Sequence, residues 1–204
     1  EKGGEGFDNI AGMVGWENII MSTLNTPANK RFEGMTVRDI AKARGTDPVD
    51  CVCDMLIEEN CAITMIDFIT CEEDIARILN CGFASVISDS IYPASGRPHP
   101  RLYGTYARII QRFVGERRDM TLEAAVKAMT YNPAKALNIA DRGLLKEGLC
   151  ADVNVFDPAE VKERGSYADP DKCAAGMDYV FVNGKPAIAA GKLAEADSGQ
   201  VIRR

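Results

Sequence analysis

Apolar residues in the first 140 positions alternate between short continuous runs and a spacing of three or four. The runs, which are rich in β-branched and aromatic residues as buried strands are, lie at Trp16–Ser22, Ala62–Phe68 and Phe83–Ser88. The wider spacing predicts amphipathic helices, which begin at Thr36, Asp47, Thr70, Tyr103, Thr121 and Asn132. Strands that alternate with helices in this way predict parallel pairing and an α/β fold.

After Asp141 the pattern changes to short strands separated by turns. Strands are predicted at Leu149–Phe156, Tyr179–Val182 and Pro186–Ala190, and Asn183-Gly184 is typical of a tight hairpin. We therefore divide the chain into a β/α segment, residues 1–140, and a β-rich segment, residues 141–204. Three strands are too few to close a barrel, and the first residue is Glu1 rather than Met, so we expect a fragment of a larger protein.

Polar side chains that can carry chemistry stand where two of the predicted strands end. Asp89 follows the third strand and Ser22 closes the first. Parallel strands would place both at one rim of the sheet, where α/β enzymes keep their active sites. A turn cap is an equally good interpretation of Asp89, and a strand-terminal turn is slightly the better one for Ser22.

The loop that follows Asp89 is cationic and rich in proline. It contains Arg97, His99 and Arg101, and His99 is held between two prolines. An arginine fork suits a carboxylate-bearing substrate because it donates two parallel hydrogen bonds, although a single loop arginine is more often a solvated charge. His99 is a partner of such a site or a plain loop residue; as the only histidine of the chain, it cannot build a zinc centre.

Composition narrows the classes of partner and compartment. A net charge of −6 and a pI near 5.0 argue against nucleic acid or an anionic membrane surface as the main partner. The sequence has no apolar run of the length that spans a bilayer. The seven cysteines are odd in number and most lie in apolar patterns, which favours reduced thiols and a cytoplasmic location. Cys51-Val52-Cys53 has no matching second pair, so we interpret it as structural.

Several stretches together resemble one enzyme family. They are Ser-Asp-Ser (88–90), Pro-His-Pro-Arg-Leu-Tyr-Gly-Thr (98–105), residues 129–137, residues 141–158 and Val-Phe-Val-Asn-Gly-Lys (180–185). From Trp16 onward the chain is similar to the C-terminal half of the N-acyl-D-amino-acid deacylases (D-aminoacylases) of the amidohydrolase superfamily. Parts of the last two stretches are shared by many amidohydrolases, whereas the loop 98–105 points to the deacylases.

The resemblance implies a fold, a cofactor and residue roles. The fold implied is the C-terminal part of a metal-dependent (β/α)8 TIM barrel plus part of a small β-sandwich. The implied reaction is zinc-dependent hydrolysis of the amide bond of N-acyl-D-amino acids. Asp89 would be the catalytic aspartate that carries a proton from metal-bound water to the leaving amine, and it would be a candidate metal ligand. Arg101 and Ser22 would bind the substrate carboxylate, with His99 as a weaker supporting residue.

Departures from the family pattern set further expectations. The family's zinc ligands, histidines and a cysteine, have no counterparts here. We therefore expect one or two zinc ions to be held mainly by a missing N-terminal half or partner chain, and the 204 residues alone to be inactive. Cys81-Gly82 and Asp171–Ala174 also differ from the family, which bears on specificity. The alternatives are a hydrolase of cyclic amides, similar to hydantoinases or dihydroorotases, and a non-catalytic fragment that needs its N-terminal half.

Overall fold

The computed structural model describes residues 8–92, 95–194 and 197–202. The chain divides into two compact units. The first is drawn from Glu1–Cys71, Ser90–Leu102 and Ser166–Asp171, and the second from Glu72–Asp89, Tyr103–Gly165 and Lys172–Arg204. Among the described residues, no helix combines the length and apolar character needed to cross a membrane.

The first unit packs short strands against helices around one apolar core. Its regular elements are helices α1 (Ile10–Val14), α2 (Val37–Arg44) and α3 (Pro48–Glu58) and strands β1 (Ile19–Thr23) and β2 (Thr64–Asp67). The core takes Met21 from β1, Ile40 from α2 and Met55 from α3, all of them buried. Each such side chain contributes roughly 1.5–3 kcal/mol through burial, so these contacts hold β1 firmly under the two helices.

The cap residues of α2 and α3 confirm the predicted starts of both helices. The Thr36 hydroxyl accepts a hydrogen bond from the backbone N–H of Asp39 (3.1 Å). The Asp47 carboxylate accepts one from Val49 N–H (2.8 Å), with Pro48 at the first helical position. Each cap satisfies a backbone donor that the helix leaves without a partner, which is why these residues can be identified in the sequence.

The predicted parallel pairing of the first two strands is wrong. β1 pairs with β2 antiparallel, with Ile19 opposite Asp67 and Thr23 opposite Thr64. A parallel pair is normally joined through one crossover helix, whereas the connection here contains two, α2 and α3, which pack on each other. The second helix reverses the chain again, so that β2 begins beside the end of β1.

The second unit combines helices with an antiparallel sheet. Its helices are α4 (Glu72–Leu79), most of α5 (Arg101–Arg108), which continues as a π-helix over Ile109–Glu116, α6 (Leu122–Met129) and α7 (Tyr131–Ala136). Its strands β3 (Val153–Phe156), β4 (Met177–Val182), β5 (Lys185–Ala189) and β6 (Lys192–Leu193) pair in chain order. Asn183 and Gly184 have φ angles of 50° and 76°, as a type I′ turn requires, so the predicted hairpin is confirmed.

The third predicted strand, Phe83–Ser88, is not a strand and pairs with none in the part of the chain that the structure describes, so this prediction is wrong. Helix residues take its backbone groups instead. Val86 N–H donates to Ala128 O (2.9 Å), and the Asn132 amide donates to Ala84 O (2.6 Å). The amide of Asn132 is therefore engaged with this segment, and α7 begins one residue before it rather than at an Asn132 cap. An apolar run indicates burial, but it does not identify the partner.

Candidate functional site

A small polar cleft of about 170 Å³ lies in the first unit, where β1 and β2 meet the segment 90–102. Its polar lining comes from Ser22 and Thr23 on β1, Thr64 and Asp67 on β2, and Ser90, His99 and Arg101 on the segment. The structure therefore brings together Ser22, His99 and Arg101, three of the residues that the sequence predicts for the site.

Ser22 is held near the end of β1 with its hydroxyl at the cleft. The residue is buried, and its Oγ lies 2.7 Å from Thr64 Oγ1, so the two hydroxyls share a hydrogen bond. Its carbonyl accepts the backbone N–H of Arg97 at 2.8 Å. A hydroxyl paired with another hydroxyl keeps the capacity for a further hydrogen bond, so Ser22 can contact a polar ligand without losing Thr64.

His99 links Arg101 to an aromatic neighbour. His99 Nδ1 accepts the backbone N–H of Arg101 at 3.0 Å. The neutral imidazole then carries its proton on Nε2, which donates to the Tyr167 hydroxyl at 3.4 Å. The rings of His99 and Tyr167 meet edge to face with centroids 5.2 Å apart. His99 thus fixes Arg101, the half-buried first residue of α5, which lines the cleft.

A glycine permits the close approach of the segment to β1. Gly96 has a φ angle of 90°, which side-chain-bearing residues rarely adopt. A Cβ atom at this position would lie 2.5 Å from Thr23 Oγ1 and 2.8 Å from the Ser22 carbonyl oxygen. Glycine is therefore required here for two reasons, backbone conformation and space.

Asp89, the predicted catalytic residue, belongs to the second unit by its contacts. It is exposed and has a φ angle of 46°, in the left-handed region that Asp tolerates better than most residues. The next residue in the chain, Ser90, lines the cleft of the first unit. The catalytic role of Asp89 stays a prediction, as do the binding roles of Ser22, Arg101 and His99.

Sequence reasoning missed some residues around the cleft. Thr64 carried no signal beyond its place at a predicted strand. Asp67 stands near the end of a predicted strand with Phe68 directly after it, a position that favours a structural role, yet the residue is part of the lining. Tyr167 stands far along the chain in a segment with no regular pattern, and only the fold shows that it contacts His99 and packs against Phe68 with ring centroids 4.8 Å apart.

The described residues do not fit a complete metal centre. Among them, no group of three or more His, Cys, Asp or Glu side chains is arranged to hold an ion. All seven cysteines carry free thiols, and the only histidine, His99, is engaged with Arg101 and Tyr167.

A buried carboxylate anchors the loop that follows β1. Glu59, directly after α3, is 3% exposed. It accepts hydrogen bonds from the backbone N–H of Asn25 (2.7 Å) and Thr26 (3.1 Å), from the Thr26 hydroxyl, and from the Asn29 amide (2.9 Å). Burial raises the pKa of Glu59, but the hydrogen bonds from Thr26, Asn25 and Asn29 outweigh it and lower that pKa to about 2.

We expect the contribution of Glu59 to the free energy of unfolding to decrease at acid pH. Its pKa is depressed on folding, so its contribution is complete above the unfolded value near 4.5 and is lost as the pH falls toward about 2. Urea unfolding of the wild type and of Glu59→Gln should show a free-energy difference on the order of 3 kcal/mol at pH 7 that shrinks below pH 4. A difference that stays constant down to pH 2 would contradict this expectation.

The second unit holds a larger and mostly apolar cavity of about 1220 Å³. It lies between helices α6 and α7 and strands β3 and β4, with Leu122, Val126, Phe156 and Val180 among its lining residues. Its few polar groups, such as Arg142 and Asp152, are paired with each other at 2.6 Å. The smaller cleft is therefore the one with convergent polar groups, which is the usual mark of a functional site.

The chain belongs to the amidohydrolase family, whose sequence model matches residues 25–188. Its curated relatives include two enzymes of Alcaligenes xylosoxydans xylosoxydans. N-acyl-D-glutamate deacylase is 37% identical over 165 residues, which cover 81% of this chain and 32% of the relative. D-aminoacylase is 34% identical over 173 residues, which cover 85% of this chain and 34% of the relative. The chain thus spans about a third of the length of these relatives.

Solved structures agree with this family. A crystal structure of D-aminoacylase matches 91% of this chain and 38% of its own with a TM-score of 0.80 and 31% identity. N-acyl-D-glutamate deacylase of Bordetella bronchiseptica, solved with zinc and a phosphonate that mimics the tetrahedral intermediate, matches 94% of this chain and 40% of its own, with a TM-score of 0.77 and 32% identity. The resemblance to N-acyl-D-amino-acid deacylases and the α/β class are confirmed.

Proposed function

We propose that this chain is part of a zinc-dependent hydrolase that cleaves the amide bond of N-acyl-D-amino acids and releases a D-amino acid and a carboxylic acid. Three supports converge on this reaction: membership of the amidohydrolase family, relatives that deacylate N-acyl-D-amino acids, and the polar cleft itself. One observation carries the proposal: Ser22 lines the same cleft as His99 and Arg101, although it lies far from them in the sequence.

The residues of the cleft have complementary tasks in this proposal. The Arg101 guanidinium donates two hydrogen bonds to the substrate α-carboxylate, a geometry that arginine provides better than lysine. Ser22 adds a hydroxyl to the same carboxylate while Thr64 holds its side chain. His99 fixes the Arg101 backbone and so the origin of the guanidinium side chain. Together they hold the substrate at its charged end, away from the amide that reacts.

Asp89 has the chemical role in this proposal. Its carboxylate takes a proton and delivers it to the leaving amine, the work of a general base and then a general acid. A zinc ion, when bound, supplies a Lewis acid and an activated water. Because the described residues form no complete ion site, one or two zinc ions would be held mainly by residues outside this chain.

For the complete protein we further propose a (β/α)8 barrel with a small β-sandwich. Residues 1–140 would belong to the barrel and residues 141–204 to the sandwich, supported by the likeness to D-aminoacylase. The antiparallel pair of β1 and β2 differs from the parallel pairing of such a barrel, so a structure of the complete protein tests this part directly. Seven free thiols support a cytoplasmic location.

The test compares the complete protein with the 204-residue chain, each incubated with zinc and then dialysed. We expect the complete protein to retain stoichiometric zinc and to release amine from N-acetyl-D-glutamate or another N-acetyl-D-amino acid, whereas the 204-residue chain retains no stoichiometric zinc and releases none. Metal content is measured by plasma mass spectrometry and amine release by a colorimetric assay.

N-acetyl-L-amino acids, hydantoin and dihydroorotate form the control panel for the same assay. Hydrolysis of the cyclic amides alone would replace the proposal with a cyclic amidohydrolase. A complete protein that hydrolyses none of these substrates would refute the deacylase proposal and leave a non-catalytic, partner-binding role.

A further inference from the structure

A continuous series of hydrogen bonds connects Glu59 to the cleft within the first unit. Asn25 donates its backbone N–H to the Glu59 carboxylate, and its Oδ1 accepts the Ser95 hydroxyl at 3.0 Å. The other end of the same amide, Nδ2, donates to Ala62 O at 2.6 Å. The Ser95 carbonyl then accepts the Thr23 hydroxyl at 3.3 Å. Both ends of the Asn25 side chain are thus engaged, one with the polypeptide after α3 and one with the segment that borders the cleft.

Ser95 starts the part of the segment that carries the binding residues. Gly96 packs against Thr23, and Arg97 N–H donates to the Ser22 carbonyl at 2.8 Å. Only two residues later comes His99, which accepts the backbone N–H of Arg101. The position of residues 95–97 along β1 therefore determines where the following side chains reach the cleft.

The side chain of Glu59 makes its hydrogen bonds with a distant part of the sequence. Its partners Asn25, Thr26 and Asn29 precede it by 30 to 34 positions. A buried carboxylate is costly unless several donors satisfy it, and here all of the donors belong to the one loop that leaves β1. That loop supplies Asn25, which holds Ser95.

We propose that Glu59 and Asn25 are positioning residues for the cleft: they fix the loop after β1 so that Ser95 holds residues 95–101, and with them His99 and Arg101, against the end of β1. The expected effect on substrate binding rests on the proposed function. The expected effect on residues 95–101 is independent of that function, because the hydrogen-bonded amides of Arg97 and Arg101 report the position of these residues directly.

The test is amide hydrogen exchange, followed by NMR, on the 204-residue chain. In Glu59→Gln and in Ser95→Ala we expect the Arg97 and Arg101 amides to exchange about tenfold faster than in the wild type, since each variant removes one link of the series. Ser95→Thr keeps the hydroxyl and should restore wild-type exchange. Glu17→Gln is the matched control, because it removes an exposed carboxylate of the same unit that pairs with Arg38 at 2.7 Å, and it should leave both amides unchanged.

Ser95→Ala keeps the inference testable even if Glu59→Gln fails to fold. Ser95 is exposed, and the substitution removes only the hydrogen bond from its hydroxyl to Asn25. Unchanged exchange at Arg97 and Arg101 in Ser95→Ala would overturn the proposal, as would equal acceleration in Glu17→Gln. In the complete enzyme, Ser95→Ala should raise KM about tenfold with kcat within about twofold, and Ser95→Thr should restore KM. A complete enzyme without deacylase activity would refute the proposed function, while the exchange data would still decide this inference.

Discussion

Replacing Arg101 with glutamine in the complete enzyme should raise KM for N-acyl-D-amino acids by about two orders of magnitude, with kcat changed less than about threefold. Arg101 lines the cleft as a half-buried cation, so a substrate carboxylate bound there loses its partner when the guanidinium is removed. The backbone N–H that donates to His99 is kept, so the segment should keep its position. Steady-state kinetics with N-acetyl-D-glutamate and its α-amide separates the two parameters.

The α-amide lacks the α-carboxylate and keeps only the side-chain carboxylate, so Arg101→Gln should hardly alter its already weak binding. Arg97→Gln provides the matched comparison, because Arg97 stands on the same loop but is exposed, with its guanidinium against Gly34 rather than in the cleft lining. We expect a change in KM below about threefold for that variant. A large effect of Arg97→Gln together with a small effect of Arg101→Gln would show that the carboxylate is bound by the other arginine.

The sequence predicts local structure wherever a residue acts on the backbone within a few positions of itself. Thr36 and Asp47 mark helix starts because each cap satisfies backbone donors within three positions. Asn183-Gly184 marks a hairpin because both residues tolerate positive φ angles.

Long-range pairing was not accessible in this way. The apolar runs correctly predict strands β1 and β2. Their relative direction, however, depends on the path of the chain through α2 and α3, which no local sequence pattern determines. Phe83–Ser88 has strand-like residues, yet Val86 and its neighbours hydrogen-bond to helices. In the same way, Ser22, His99 and Arg101 could be selected by residue type, whereas Tyr167 and Glu59 enter only through contacts made more than 30 positions away.

Asp89→Asn should lower kcat of the complete enzyme by about three orders of magnitude while KM stays within about threefold. The amide cannot take up a proton, so transfer to the leaving amine is lost, whereas the groups that bind the substrate carboxylate are untouched. Asn is the suitable replacement because Asp89 has a φ angle of 46°, and Asn adopts this left-handed conformation readily. Alanine would combine the chemical change with backbone strain and would confuse the two effects.

Two further aspartates make the Asp89 experiment decisive. Asp74 is a mostly exposed residue of α4, paired with Arg77, so Asp74→Asn should leave kcat unchanged. Asp67 competes for the catalytic role, because its carboxyl group belongs to the strand end that lines the cleft. If Asp67→Asn abolishes turnover and Asp89→Asn does not, the proton-transferring carboxylate is on β2, and the chemistry is carried by the first unit. If Asp89→Asn alone abolishes it, the catalytic carboxylate lies one residue before the segment that binds the substrate.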